Sequence, residues 1–357
     1  MRKIKVGTVG LGRIGRGGHI PELSSLPDRY QFVALADNAP DRRTNLPESV
    51  KSVPVYSSLE EMLQVPELEM VTIGTRHPDH VPMALQIMEA GKIAVIEKPV
   101  AAGTAEMNLL RKALEKHPGK LFFRHNRRYE GAFRKIRDLI RSGLIGDVQY
   151  IKLYRSIGYC RRNDWMTMPE YYGGLLTNWG PHLIDQALQL LDSPVCDIWA
   201  DVRRVISIGE GDDLFKILLK AENGRLADVE VAGCNAMPGR EMEIIGNRGC
   251  IVHENGKIRA RYIDPCVELK DLKPHPENPP FQYGNFDEKL YFIEAQYDAP
   301  DDGESIWTAI YDDVVNHIPC PVTFEQAAEV VRVTEEAFRI SGFKPIREFR
   351  SKALPRG

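Results

Sequence analysis

Short apolar runs alternate with amphipathic stretches over the first third of the chain. The runs are rich in Val, Ile and Leu, which is typical of strands in a parallel sheet that is covered on both faces. Between them, apolar positions recur at helical spacing. Asp79 and Thr104 are suited to cap two of these helices, and Gly91 is suited to end the first. This alternation predicts a doubly wound α/β sheet with right-handed crossovers. The predicted strands are 4–9, 31–36, 70–74, 93–96 and 121–123.

The pattern changes after about residue 124, where strand-like segments separated by polar turns predominate. They predict a largely antiparallel sheet, preceded by a helix around 133–140 and interrupted by a helix at 179–191. The chain is therefore divided into two domains, 1–124 and 125–357. The predicted strands of the second domain are 148–156, 195–206, 214–219, 226–231, 243–245 and 258–263.

Two helices are predicted near the end of the chain. The first covers 306–318, and the second follows Thr323, whose hydroxyl together with Gln326 matches a capping box. The stretch at 273–283 is rich in proline and predicts a loop. Neither a repeat nor a low-complexity segment is evident, so the pattern indicates an ordinary globular α/β protein.

Composition limits the class of protein. The chain has 357 residues and a formal net charge of −3, so it lacks the bulk positive charge of a nucleic-acid binder. Its six cysteines form no CxxC pair, and a chain of this size needs no disulfides, so free thiols in a reducing cytoplasm are expected. The first residues are too short and too glycine-rich for a signal peptide, and no run of about 18 apolar residues occurs, so we expect no membrane association.

A glycine motif directly follows the first predicted strand. In GxGxxG spacing the first glycine permits a tight turn, the second lets a pyrophosphate approach the backbone, and the third allows close helix–strand packing. Asp37 ends the second strand, 22 residues after Gly15, where a carboxylate would bond ribose hydroxyls. The combination predicts a dinucleotide site, and the alternative is a tight turn with a capping acid. The motif residues are Gly10, Gly12, Arg13, Ile14 and Gly15.

The same acidic residue bears on the choice of cofactor. A carboxylate at Asp37 repels the 2′-phosphate of NADP, which favours NAD. Arg42 and Arg43 lie close in sequence and could bind that phosphate instead, or could be solvated charges on a loop. We expect NAD, with NADP as the less favoured cofactor.

Two further stretches carry residues suited to acid–base chemistry. Glu97-Lys98-Pro99 ends the fifth predicted strand, and ligands of open α/β sheets lie beyond the carboxyl ends of strands, so Lys98 could hold a substrate oxygen. It could also be a simple surface lysine. Asn178, His182 and Asp185 are spaced so that all three can share one face near the start of a helix. His182 could take a proton from an alcohol, or could be a core or capping histidine.

These motifs, in this order, resemble the Gfo/Idh/MocA family of NAD(P)-dependent sugar and cyclitol oxidoreductases. The resemblance is most specific at the Glu97-Lys98-Pro99 tripeptide and the stretch 174–185. It implies an N-terminal Rossmann domain with a doubly wound parallel sheet. It also implies a C-terminal α/β domain with an open-faced, mainly antiparallel sheet that commonly assembles dimers or tetramers. Further matching segments are 75–80, 126–129 and 246–249.

The resemblance also implies roles for individual residues. Lys98 and His182 would flank the reacting carbon beside the nicotinamide. Much of the family has an aspartate where this chain has Asn178. An amide can orient His182 but cannot stabilise an imidazolium by charge, so Asp185 becomes a candidate source of that charge. The cofactor contacts expected are Gly10, Gly12, Arg13, Ile14, Gly15, Asp37, Thr75, His77, His80, Glu97, Lys98 and Asn126.

Substrate contacts beyond Lys98, Asn178 and His182 are expected from the segment that precedes the histidine stretch. Trp165 offers a face for a sugar ring, and Arg162 and Asn163 offer hydrogen-bond donors. The alternative is a solvated basic loop with one anchoring aromatic side chain. No metal site is expected, because the two histidines at 77 and 80 lack the ligand set that zinc requires.

Three functions follow from these residues. The first is NAD-dependent oxidation of a secondary hydroxyl on a sugar, cyclitol or derivative, with His182 as acid/base and Lys98 stabilising the substrate oxygen. The second is glycoside cleavage through transient oxidation without net redox, which would show turnover without NADH accumulation. The third is a non-catalytic NAD-binding sensor, and the presence of both Lys98 and His182 argues against it.

Overall fold

The computed structural model describes residues 2–237, 239–274 and 288–343. From position 275 on, the predicted proline-rich loop lies outside the described residues. In the described part of the chain, no helix has the length and apolar character needed to cross a membrane.

A parallel sheet in the N-terminal part of the chain confirms the predicted doubly wound fold. Its strands are β1 (Ile4–Val9), β2 (Tyr30–Ala36), β3 (Val55–Tyr56), β4 (Met70–Ile73), β5 (Ile93–Ile96) and β6 (Leu121–Phe123). They lie in the order β3-β2-β1-β4-β5-β6, and all pairs are parallel. The order reverses between β1 and β4, which is where ligands bind in such sheets. The accompanying helices are α1 (Ile20–Ser24), α2 (Leu59–Leu63), α3 (His80–Glu89) and α4 (Thr104–Lys116).

One turn of π-helix, Gly15–His19, connects the glycine motif to α1. Pro21 lies in the first turn of α1, where its missing N–H breaks no hydrogen bond. The wide turn places the His19 side chain in the interior, where it is 1% exposed. Such turns are frequent at functional sites, and this one borders the site described below.

The second sheet is mainly antiparallel, as expected. Its strands are β7 (Val148–Ser156), β8 (Val195–Arg203), β9 (Leu214–Ala221), β10 (Leu226–Ala232), β11 (Met242–Gly246), β12 (Gly249–Glu254), β13 (Lys257–Tyr262) and β14 (Ile293–Tyr297). They lie in the order β14-β13-β12-β11-β7-β10-β9-β8, in which only the β7–β10 pair is parallel among the described strands. The helices of this part are α5 (Gly131–Arg141), α6 (Leu175–Asn178), α7 (Gly180–Leu191), α8 (Ile306–Asn316) and α9 (Phe324–Ser341).

Helices cover one face of this sheet and leave the other open. Apolar residues of α5, α7 and α9 form one core with the inward-facing positions of the strands. On the other face, Tyr150 and Trp199 are each 50% exposed and Leu218 is 39% exposed. The predicted helix at 179–191 is divided in two, because Trp179 separates α6 from α7.

The end of the described chain returns to the first sheet. Helix α8 belongs to the predicted second domain, yet Trp307 and Tyr311 are buried in the core of the first. The Tyr30 hydroxyl donates a hydrogen bond of 2.6 Å to the Trp307 carbonyl. Helix α9 contributes residues to both cores, so it joins the two sheets. A division at residue 124 therefore does not describe how α8 packs.

Candidate active site

The glycine motif forms a tight turn after β1. Gly10 has φ of +89°, and a Cβ there would lie 2.6 Å from the Gly74 carbonyl carbon. A Cβ on Gly15 would overlap the Gly10 carbonyl oxygen, so packing requires both glycines. A Cβ on Gly12 would meet only the Arg42 Nη1 at 3.7 Å. The second glycine therefore borders open space, which fits the approach of a dinucleotide pyrophosphate.

Asp37 brings a carboxylate to the same turn. Its Oδ2 accepts a 2.7 Å hydrogen bond from the Leu11 amide, and its Oδ1 accepts one of 2.9 Å from the Ala39 amide. The side chain is buried, and Arg42 Nη1 is 3.9 Å from Oδ2. Negative charge is thus held beside the glycine turn, in the position that bonds a ribose in dinucleotide sites.

Other expected cofactor residues surround the same sheet edge. The Ile14 side chain packs near Gly74 and Gly18, whereas Arg13 is exposed and its Nη2 contacts the Met166 sulfur at 3.8 Å. The Oδ1 of Asn126 is buried and has no hydrogen-bond partner among the described residues. A buried acceptor without a protein partner is consistent with a bound ligand that donates a hydrogen bond to it.

Glu97 is the centre of a buried polar network at the end of β5. Its Oε1 accepts hydrogen bonds from His19 Nε2 at 3.1 Å and from Arg124 Nη1 at 2.5 Å, and its Oε2 accepts one from the Lys98 amide at 3.0 Å. Burial raises the pKa of Glu97, but Arg124 and His19 outweigh it and hold that pKa well below its ordinary value. The glutamate is therefore an anion that fixes the backbone of Lys98.

Lys98 is held on the other side by α6. Its Nζ donates to the carbonyl oxygen of Asn178 at 2.8 Å and to the Oδ1 of Asn178 at 2.9 Å. Burial lowers the pKa of Lys98 to about 8; Glu97 opposes this shift, and Arg13 and Arg127 add to it. Two of the three ammonium N–H groups are thus engaged by neutral oxygens, and the third has no protein acceptor in the described structure.

His182 lies in the first turn of α7 and is 8% exposed. Burial is the main reason why its pKa lies well below the ordinary value, and the charges of Lys98 and Arg127 lower it further. The imidazole is therefore neutral near pH 7 and can accept a proton. Its Nδ1 is buried and makes no hydrogen bond to any described residue.

The contacts of Asn178 and Asp185 differ from those that their expected roles suggest. The side-chain oxygen of Asn178 is bonded to Lys98 rather than to His182. The Asp185 carboxylate is bonded to an arginine. Its Oδ1 and Oδ2 accept bonds of 2.6 and 2.7 Å from Arg128, which also contacts the Pro321 carbonyl at 2.9 Å. Asp185 thus ties α7 to the segment after β6.

We expect Asp185→Ala to destabilise the fold by about 3–5 kcal/mol, because it leaves the buried Arg128 guanidinium without its counter-charge. Urea unfolding followed by circular dichroism measures the change. Asp201→Ala is the matched control, since Asp201 pairs with the exposed Arg203 and such pairs are worth about 0–1 kcal/mol. Equal effects of the two substitutions would contradict this view of Asp185.

The expected contacts at 75–80 lie beside the same site, and Thr75, His77 and His80 each contact a protein atom. His77 Nδ1 is 3.2 Å from the Tyr172 carbonyl, and His80 Nδ1 is 2.8 Å from the Pro99 carbonyl. Burial lowers the pKa of both imidazoles. The Thr75 hydroxyl contacts the Met83 sulfur at 3.7 Å. Within the described ranges, no group of three or more His, Cys, Asp or Glu side chains is placed to hold a metal ion.

The segment at 162–165 reaches the site through its aromatic residue. The Trp165 ring stacks edge-on against His77, with centroids 5.0 Å apart. Arg162 instead contacts Asp164 Oδ2 at 2.5 Å, and Asn163 is exposed. Of the three substrate residues expected in this segment, Trp165 is thus brought against the expected cofactor contacts. The guanidinium of Arg162 is directed to a neighbouring carboxylate.

Comparisons with known proteins agree with this fold. The family model described as "Oxidoreductase family, NAD-binding Rossmann fold" matches residues 4–125, and "GFO/IDH/MocA C-terminal domain" matches residues 133–252. The chain belongs to the Gfo/Idh/MocA oxidoreductase family. As a member, it is an oxidoreductase with a nicotinamide-dinucleotide cofactor.

Individual members of the Gfo/Idh/MocA family are distant from this chain in sequence. The uncharacterized oxidoreductase YdgJ of Escherichia coli is 24% identical over 343 residues, which cover 93% of this chain and 94% of that protein. The scyllo-inositol 2-dehydrogenase (NADP(+)) IolW of Bacillus subtilis is 30% identical over 234 residues, 64% of this chain and 63% of IolW. The crystal structure of an NAD-binding protein from Listeria innocua has the same fold, with a TM-score of 0.80 at 24% identity, covering 96% of this chain and 95% of that one.

Several residues that lie beside this candidate site were not expected from the sequence. Arg127 and Arg155 lie 4.5 and 4.7 Å from the ring of Trp179, which contacts His182 edge-on with centroids 5.9 Å apart. His125 is 2% exposed, and neither of its ring nitrogens has a partner in the described structure. Arg127 and Trp179 lie within the matching segments 126–129 and 174–185, and that was the available signal. No sequence signal pointed to His19 or Arg124, because both contact Glu97 from distant positions in the chain.

Proposed function

We propose that this protein oxidises a secondary hydroxyl of a sugar, cyclitol or derivative with a nicotinamide cofactor. The observation that carries the proposal is the meeting of Lys98 and the Asn178–His182 segment at the carboxyl end of β5. Residues about 80 positions apart place one cation and one neutral imidazole at a single site. The name of the relative IolW, a scyllo-inositol dehydrogenase, supports a cyclitol or similar polyol as substrate.

His182 serves as the general base in this proposal. The pKa of its imidazole is low, so the ring is neutral and ready to take the hydroxyl proton. We assign the proton transfer to Nε2, because Nδ1 is the buried ring nitrogen. Both Lys98 and Arg127 disfavour an imidazolium, which favours return or release of the proton after the step.

Lys98 serves as the electrostatic partner of the substrate oxygen. As that oxygen loses its proton, the N–H of Lys98 that the protein leaves free donates to it, which stabilises the charge that develops. When bound, the cofactor supplies the hydride acceptor. The two oxygens of Asn178 orient the ammonium group and leave it positively charged, since neither is an anion.

We further propose NAD as the preferred cofactor. The glycine turn and Asp37 would hold its pyrophosphate and ribose, and the Asp37 carboxylate opposes a 2′-phosphate. The Arg42 guanidinium is 3.9 Å from the Asp37 carboxylate, so the carboxylate partly balances the positive charge of Arg42. Calorimetric titration with NAD and NADP measures the preference, and tighter binding of NADP would overturn it.

A panel of polyols, sugars and glycosides tests the proposed reaction. NADH formation and product mass are followed together for each compound. Oxidation of a polyol or sugar with matching NADH formation supports the proposal. Cleavage of a glycoside without NADH favours the transient-oxidation alternative, and NAD binding without any turnover favours a sensor.

The assembly and compartment are also proposals. We infer a homodimer or homotetramer that forms through the open face of the second sheet, since Tyr150, Trp199 and Leu218 are exposed there. Sedimentation velocity distinguishes these from a monomer. A cytoplasmic location fits the six cysteines, which are all free thiols.

A further inference from the structure

A buried carboxylate outside the site described above accepts a hydrogen bond from the start of α6. Asp212 lies in the loop between β8 and β9 and is 3% exposed. Its carbonyl oxygen accepts a 2.9 Å hydrogen bond from the Leu175 amide, and its Oδ2 accepts one of 2.7 Å from the Leu176 amide. Gly174 has φ of +128°, and a Cβ there would overlap the Oδ1 of Asp212. The loop and the helix start are therefore packed without space between them.

Helix α6 links this carboxylate to the candidate active site. It consists of four residues, Leu175–Asn178, and a single turn is not stable without outside contacts. Asp212 supplies such contacts at the first residues of the turn. At the other end, both oxygens of Asn178 accept hydrogen bonds from Lys98. The position of these two acceptors thus depends on how α6 is anchored.

We propose that Asp212 is a positioning residue for Lys98, which acts through α6 by holding the two oxygens of Asn178 where they meet the ammonium group. It touches neither substrate nor cofactor. The inference rests on the proposed function for its kinetic consequences, but its structural consequence for Lys98 can be measured in the absence of turnover.

The titration of Asp212 gives this role a pH dependence. Burial raises the pKa of Asp212 to about 7, and hydrogen bonds from the Leu176 amide and other backbone amides limit the rise. The charged side chain that acts on it is Asp213 in the same loop, which raises the pKa further, while α6 presents backbone N–H groups to it. A carboxylate binds the Leu176 amide more strongly than a neutral carboxyl does. Anchoring of α6 therefore strengthens as the pH rises through about 7.

Fold stability responds in the opposite direction. The folded pKa of Asp212, about 7, exceeds its ordinary value of 3.8, so the folded chain holds the proton more tightly than the unfolded chain does. The stabilisation from this group is complete below pH 3.8 and is lost as the pH rises to about 7. Asp212→Asn has no carboxyl group at this position. Its free energy of unfolding in urea should therefore lack the decrease between pH 3.8 and about 7 that Asp212 causes.

The test compares Asp212→Asn, which keeps an acceptor for Leu176, with Asp212→Ala, which removes it. Asp213→Asn is the matched control, because Asp213 is also buried and caps the amides of Val205 and Ile206 rather than α6. Lys98 is probed directly with acetic anhydride over a range of pH, and the acetylation rate of its unprotonated amine is read by peptide mass spectrometry. We expect several-fold faster acetylation of Lys98 in Asp212→Ala, a smaller increase in Asp212→Asn, and the wild-type rate in Asp213→Asn.

The pH profile of kcat/KM supplies the second measurement. In Asp212→Asn we expect the acidic limb near pH 7 to disappear, and in Asp213→Asn we expect it to move to lower pH. In Asp212→Ala we expect kcat to fall about tenfold and the alkaline limb, set by Lys98, to move above pH 8 because the ammonium is more solvated.

The outcomes separate this inference from the proposed reaction. Wild-type acetylation of Lys98 in a folded Asp212→Ala protein overturns the positioning role, whatever the enzyme oxidises. Absence of turnover in the wild type overturns the proposed reaction and leaves the acetylation test valid. If Asp212→Ala does not fold, the pH profile of kcat/KM for Asp212→Asn is the deciding measurement. An acidic limb that remains near pH 7 in this variant contradicts the positioning role of Asp212.

Discussion

Replacement of His182 by alanine is expected to lower kcat by about 10²–10⁴, the usual contribution of a positioned general base. The imidazole is neutral because burial, Lys98 and Arg127 all lower its pKa, so it is available to take the hydroxyl proton. Alanine at this position leaves no base in the first turn of α7. The glycine turn and Asp37 are not touched, so the Kd for NAD should stay within about twofold.

Steady-state NADH formation with the best polyol of the panel, together with calorimetric NAD titration, measures both effects. His253→Ala is the matched control, because His253 is also buried but lies on β12 and pairs with Glu241. An unchanged kcat in the His182 variant would remove this residue from the proposed mechanism. A parallel loss of NAD binding would show instead that the first turn of α7 supports the cofactor.

Lys98→Met is expected to lower kcat by about 10²–10³, comparable to the loss of one oxyanion donor. Methionine keeps much of the side-chain volume but provides neither charge nor N–H group, so charge on the substrate oxygen is no longer stabilised. Both oxygens of Asn178 also lose their donor. Because the pKa of Lys98 is lowered to about 8, wild-type activity should fall as the pH rises through that value, and the variant should lack this limb.

Lys92→Met is a close control for this prediction. Lys92 precedes β5 and Lys98 follows it, and Lys92 Nζ also donates to two backbone oxygens, those of Val65 at 3.2 Å and Leu68 at 2.8 Å. Its loss should affect stability without changing the pH profile of kcat. Similar kinetic losses in both variants would indicate that Lys98 acts only through the fold of β5.

The residues that sequence reasoning placed correctly belong to local motifs. The spacing of Gly10, Gly12 and Gly15 specifies a turn whose packing leaves no room for a side chain at the first and third positions. Asp37 directly follows β2 beside that turn, and Lys98 follows β5 at the same sheet edge. Such features depend on a few neighbouring residues and on the rule that parallel strands end together, so the sequence can reveal them.

Three strands were not predicted from the sequence, because their local residue pattern is not what stabilises them. Strand β3 has two residues, β12 begins with a glycine, and β14 has five residues and lies at the sheet edge. Each is stabilised by pairing with a neighbour rather than by its own composition. The packing of α8 against the first sheet is similar, because its apolar positions do not indicate which core they enter.

By itself, the sequence determined the alternation of strands and helices, the dinucleotide turn, and the identity of Lys98 and His182 as candidates for chemistry. The tertiary structure alone decided that Asn178 holds Lys98, that Asp185 pairs with Arg128, and that Asp212 anchors α6. These pairings join positions far apart in the chain, and side chains of the same type could have met other partners. Partner choice and the pKa shifts that follow depend on burial and distance, which exist only once both cores have packed.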